Sequence, residues 1–141
     1  MNTQTTLLGP ARIQRTRRKG SRMPAGAVYC GRPGRLGNMF QVQRLPQPLF
    51  APGQHAVVDT LGRTRISGVE LVFPDRWAAS VVAVRLYELH VGPMGCYEYD
   101  DETRAYVKSL AGRDLACWCS LLDEHGNRWP CHVNSILRWA N

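Results

Sequence analysis

The first 58 of the 141 residues contain no aspartate or glutamate. Lysine is nearly missing too, with Lys19 and Lys108 the only two among 18 basic side chains. No run approaches the ~18 apolar residues that a membrane-spanning helix needs. The opening residues lack an apolar stretch ending in a small-residue cleavage site. Both absences lead us to expect a soluble, cytoplasmic protein. There is no internal repeat, no dinucleotide fingerprint and no phosphate loop of the nucleoside triphosphatases. Nor is there a helix-turn-helix, a zinc finger or an aromatic RNA platform, so sequence-specific base reading is unsupported. Five cysteines are an odd number, which argues against a disulfide framework.

What the chain does have is misplaced charge. Residues 1–58 hold nine basic side chains: Arg12, Arg15, Arg17, Arg18, Lys19, Arg22, Arg32, Arg35 and Arg44. The rest holds nine basic and 11 acidic ones, so the formal net charge of +7 divides into +9 and −2. Codon bias accounts for arginine over lysine but not for an acid-free stretch of that length. Such a stretch marks a surface facing a polyanion, or a basic arm. Six charges fall within Arg12–Arg22, enough to neutralise several phosphates and to give salt-dependent binding.

At this length one hydrophobic core is expected. We expect residues 1–11 to form a flexible arm on the basic side and residues 12–141 a single α/β domain. Val28-Tyr29-Cys30 is β-prone and runs into the glycine-rich turn Gly31–Asn38. Residues 55–67 have the pattern of a β-hairpin with its turn near Gly62. Helices are expected over Ala78–Val91, with Ala79, Val82, Leu86 and Leu89 as the stripe, over Asp100–Ala111, and over Cys131–Ala140. Asp100 can cap the second, while Pro130 suits the first turn of the third. Leu115–Cys119 is expected to be a buried strand. The order predicts a small, mostly parallel sheet flanked by helices, with the hairpin as an insertion.

Three places can carry chemistry. Cys117 and Cys119 project to one face of a strand, and Cys131-His132 opens a helix, where free N–H groups favour thiolates and anions. That cluster supports three readings: a zinc site of three thiolates and one imidazole, a catalytic site with a thiolate nucleophile or His132 as acid–base, or buried structural thiols. The Gly31–Asn38 loop can bring backbone N–H groups to a phosphate, with Arg32 or Arg35 as a clamp, though a plain tight turn is the commoner use of such a motif. The basic run is the third. Glu98–Glu102 reads as the solvated start of a helix. Trp77, Trp118, Trp129 and Trp139 read as core or rim aromatics. Cys30 and Cys96 read as isolated buried thiols.

Arg15-Thr-Arg17-Arg18-Lys19-Gly20-Ser21-Arg22-Met23-Pro24, Val28-Tyr29-Cys30-Gly31-Arg32-Pro33, Leu36-Gly37-Asn38-Met39-Phe40 and Leu115-Ala116-Cys117-Trp118-Cys119 through Cys131-His132 together resemble domain of unknown function 4326, a family frequent in phage and actinobacterial genomes. The matching segments span about half of the chain. Ser21, Met39 and the long Ser120–Pro130 segment depart from the family's pattern. The resemblance implies a phage-type chain working in a host cytoplasm, and it implies no particular reaction. It also implies that the basic arm, the Gly-Asn loop and the Cys/His end belong to one site.

The expected function is therefore binding of a nucleotide, nucleoside or nucleic-acid phosphate. Arg17, Arg22, Arg32, Gly37 and Asn38 would hold the ligand, and Cys117, Cys119, Cys131 and His132 would line the reactive end. If the domain is catalytic, glycosidic transfer or hydrolysis of a nucleotide is the reaction class expected. The alternative is a non-enzymatic accessory protein docking on nucleic acid, with the same four Cys and His residues holding a structural zinc.

Overall fold

The computed structural model describes residues 9–32, 34–60, 71–93 and 100–141. Two small sheets and three helices are found among them. The first sheet is parallel, with β1 (Arg12–Gln14), β2 (Val28–Tyr29) and β6 (Leu115–Cys117) in the order β1-β6-β2. The second is antiparallel, with β3 (Phe40–Arg44), β4 (His55–Asp59) and β5 (Val72–Phe73) in sequence order. The helices are α1 (Arg76–Val91), α2 (Asp101–Ser109) and α3 (His132–Ala140). None is long and apolar enough to cross a membrane.

Strand β6 reaches the sheet last in the chain and takes its centre. Its register pairs Leu115 with both Arg12 and Val28, and Ala116 with both Ile13 and Tyr29. Such a strand has no solvated face, and Leu115, Ala116 and Cys117 are all buried. Because all three strands run the same way, their carboxyl ends emerge together. The chain leaves β1 at Arg15, β2 at Cys30 and β6 at Trp118, which is where ligands sit in open parallel sheets.

The expected helices form where their caps dictate. Asp75 accepts a hydrogen bond from Ala78 N at 2.8 Å, and Asp100 accepts one from Thr103 N at 2.7 Å. These two side chains start α1 and α2. The stripe of α1 is rotated from the one expected. Ala79, Ser80, Ala83, Tyr87 and Val91 are buried, whereas Leu89 is 60% exposed. Small residues on that face let the helix lie close to the antiparallel sheet, and the packed face, not the most apolar one, wins.

Three elements go beyond the sequence reading, the short strand Val72–Phe73 among them. Arg12–Gln14, expected as part of a polar basic stretch, is an edge strand of the parallel sheet. Phe40–Arg44, not expected as a strand, pairs antiparallel with β4 across the irregular 45–54 connection. The other edge of β4 pairs with β5. The turn near Gly62 and the arm Arg63–Ile66 lie outside the described residues, as do residues 1–8, Pro33, Cys96 and Glu98.

The core joins both sheets to α1 and α3. Val57, Tyr87, Val107, Leu115, Val133 and Ile136 are fully buried in it. Tyr87 sits at its centre, donating to Leu36 O at 2.7 Å and stacking on Trp139. That single hydroxyl ties α1 to the glycine-rich loop. Tyr87→Phe leaves a buried carbonyl without its donor, and we expect a loss of about 1–2 kcal/mol in urea unfolding. An unchanged midpoint would show that the loop does not depend on it.

A cleft at the carboxyl ends of the parallel strands

A cleft of about 380 Å³ opens beyond the carboxyl ends of β1, β2 and β6. Its walls include Arg17 from the segment after β1, Gly31 and Arg32 after β2, and Cys117, Trp118 and Cys119 at the end of β6. Cys131 and His132, at the start of α3, complete one side, while Arg76 and Ser80 of α1 stand opposite. Of the residues expected to form the site, the fold brings Arg17, Arg32, Asn38, Cys117, Cys119, Cys131 and His132 to this cleft. Arg22 and Gly37 do not line it.

Gly37 serves the loop. A Cβ there would stand 2.9 Å from Arg32 Cα, so the chain closes on itself only with glycine. Asn38 is engaged at both ends of its amide, accepting from Phe40 N at 2.8 Å and donating to Ala83 O at 3.3 Å. It pins the loop to α1 while one face looks into the cleft. Arg35 is committed elsewhere, paired with Glu102 at 3.3 Å and lying over Tyr106. Arg32, exposed and lining the cleft, is the arginine of this loop left to meet a ligand.

The floor of the cleft is sulfur. Strand β6 stops at Cys117, so Trp118 swings out, 40% exposed, and Cys119 turns back in. The Sγ atoms of Cys117, Cys119 and Cys131 lie within 4.8 Å of one another, and Cys117 and Cys131 are 3.2 Å apart. All three are free thiols, and this trio can hold a metal ion. Hydrogen bonds from the Cys119 and Cys131 thiols, then the Arg12 charge, hold Cys117 far below the ordinary thiol range. Cys131 is displaced upwards because it donates to its neighbours and is buried. Cys30 stands apart, its thiol pushed up to about 11 by burial and by the Cys117 charge.

Arg12 is the residue whose role the sequence hid. It was legible only as one more charge in a basic run, yet it is 7% exposed. Its guanidinium donates to the carbonyls of Cys119 at 3.0 Å, Ser120 at 2.6 Å and Leu121 at 3.3 Å, and reaches Cys117 Sγ at 3.5 Å. The fork therefore moulds the loop that carries two of the sulfurs. His132 is fixed as firmly. Its Nε2 donates to Cys30 O at 2.7 Å, and the Tyr87 ring meets it edge-on. Donation to a carbonyl sets the tautomer, leaving Nδ1 with a lone pair 3.9 Å from Cys131 Sγ. Burial holds its pKa below the ordinary value, so the ring is a neutral acceptor.

The rim is cationic and aromatic. The Arg15 guanidinium lies 5.0 Å from the Tyr29 ring and 4.7 Å from Trp118, and Arg17 lies 4.9 Å from Trp118. Across the cleft Arg76 covers Trp129 at 4.8 Å, with Trp77 edge-on behind it. Tyr29 and Arg76 were missed as site residues. The only signal for Tyr29 was its place next to the glycine loop. Nothing marked Arg76, whose arrival depends on how α1 packs.

Arg12→Met leaves three carbonyls without their donor and removes a buried cation at once. We expect a loss of about 2 kcal/mol or more in chemical unfolding, and a smaller one for Arg12→Lys. Loss below about 0.5 kcal/mol, the scale of an ordinary surface substitution, would show that the loop holds its shape unaided.

No curated protein and no solved structure matches the chain. A family model described as a domain of unknown function (DUF4326) matches residues 13–141, from the first parallel strand through the sulfur floor to the last residue, and the chain belongs to that family.

Proposed function

We propose that the cleft binds a phosphorylated nucleotide, either free or as part of a nucleic acid. The observation that carries this reading is the composition of the walls. Arg17, Arg32 and Arg76 line the cleft together with Trp118 and Trp129, and no carboxylate lines it among the described residues. Guanidinium groups are the side chains best matched to phosphate oxygens. Indole faces accept a nucleobase by stacking, worth about 1–3 kcal/mol per base. The cleft falls in the size range of small-ligand sites, about 300–1,000 Å³.

The basic run continues this surface outward. Arg18, Lys19 and Arg22 are exposed and follow Arg17 directly, so a polynucleotide entering the cleft would find further phosphate partners. At the floor, the reading takes the sulfur cluster in one of two states, as free thiols with Cys117 the anionic nucleophile or as ligands of a zinc ion. His132, a neutral acceptor beside Cys131, is placed to receive a proton from a group entering the cleft. Glycosidic transfer or hydrolysis of the bound nucleotide is the reaction class this arrangement serves. The same surface without catalysis would make the domain a nucleic-acid-docking accessory protein.

Tryptophan fluorescence titration tests the proposal, with mononucleotides, nucleosides, inorganic phosphate and short single- and double-stranded oligonucleotides at two salt concentrations. We expect saturable quenching by a nucleotide or oligonucleotide. Arg32→Ala and Arg76→Ala should each weaken it about tenfold or more, from the ~1.5–3 kcal/mol of a charged hydrogen bond. Arg44→Ala, outside the cleft, should leave it unchanged. Salt-sensitive duplex binding indifferent to Arg32→Ala and Arg76→Ala would favour the accessory reading. No response to any of these probes would overturn both.

A further inference from the structure

We propose that Cys117, Cys119 and Cys131 hold a resident soft divalent metal ion of the zinc class, with Arg12 as its counter-charge and the fourth ligand position on the cleft side. Sulfur spacing is the first argument. A tetrahedral ion with zinc–sulfur bonds of ~2.3 Å sets sulfur pairs about 3.8 Å apart. The trio, with Cys117 and Cys131 3.2 Å apart and all three within 4.8 Å, brackets that separation.

Charge is the second. Arg12 is a buried cation, and among the described residues no carboxylate is within ion-pair reach of it. A buried guanidinium without a counter-charge is costly. Three thiolates around a divalent ion carry a net charge of −1, which Arg12 cancels. Soft thiolates select zinc-class ions over magnesium or calcium.

The third argument is the scaffold. The ligands come from the end of the central strand, the bend after it and the N-cap of α3, where Cys131 makes no side-chain capping bond. Its sulfur is therefore free to turn to the cluster. All three cysteines line the cleft, so a fourth ligand reaching the ion from solvent would come through it.

The inference is independent of the nucleotide reading, because metal content is measured with no ligand present. Elemental analysis of protein purified under reducing conditions should find one zinc per chain. Cys117→Ser, Cys119→Ser and Cys131→Ser should each lose it, Cys30→Ser should keep it, and Arg12→Met should weaken it about 10- to 100-fold, as loss of a supporting partner does. Should the serine variants fail to fold, the wild-type chain supplies the second readout. Cobalt added after chelation should give a thiolate-to-metal charge-transfer band saturating at one equivalent and abolished by zinc. A folded, reduced wild-type protein that carries no metal and shows no such band would overturn the proposal. A Cys117–Cys131 disulfide in that preparation would overturn it as well.

Discussion

A guanidinium taken out of water at Arg12 governs the geometry of this domain. The side chain starts on the edge strand β1 and ends on three carbonyls of the loop after β6. Backbone pairing aligns β1 with β6 through Cys117, and beyond it the chain turns back on itself only from Leu121, which accepts from Trp129 N. The fork of Arg12 folds that chain back, turning Cys119 inward and Trp118 outward. Sulfur floor and aromatic rim are thus two results of one buried charge. A lysine could not hold the same three acceptors in one plane.

Parallel strands make the rest of the site economical. Three short strands end at one level, so three segments far apart in the sequence arrive there together. Helix α3 begins at the same level, its N-terminus adding a field that favours anions. The result concentrates positive potential over a cluster of polarisable sulfurs. In such a place phosphate oxygens, thiolates and soft metal ions are all stabilised by the same arrangement. The acid-free first 58 residues keep competing carboxylates away from that side of the fold.

Much of this was legible in the sequence, and for identifiable reasons. Asp100 starts a helix by capping, a local rule, and α2 and α3 run close to the expected ranges. The Cys-x-Cys spacing and the Cys-His pair pointed to one cluster, and the sulfurs do converge. Other features depend on distant partners. Strand β1 is three residues long, and its pairing with residues more than a hundred positions away leaves no periodicity to read. Phe40–Arg44 carries glutamines on a half-exposed strand, so its alternation is faint. The rotated stripe of α1 follows from close packing of alanines, which hydropathy undervalues. Arg12 looked like its basic neighbours because burial is not written in a single residue. Gly37 and Asn38 were noticed for the right loop, and the structure gives both of them work in building it.

We propose that one cleft, walled by arginine and indole and floored by sulfur, receives a phosphorylated nucleotide. Crystals of the reduced protein soaked with a mononucleotide are the sharpest test. Phosphate density is expected within hydrogen-bond reach of Arg32 and Arg76, with the base against Trp118 or Trp129. Phosphate found only along Arg18, Lys19 and Arg22, with the cleft holding solvent alone, would contradict it.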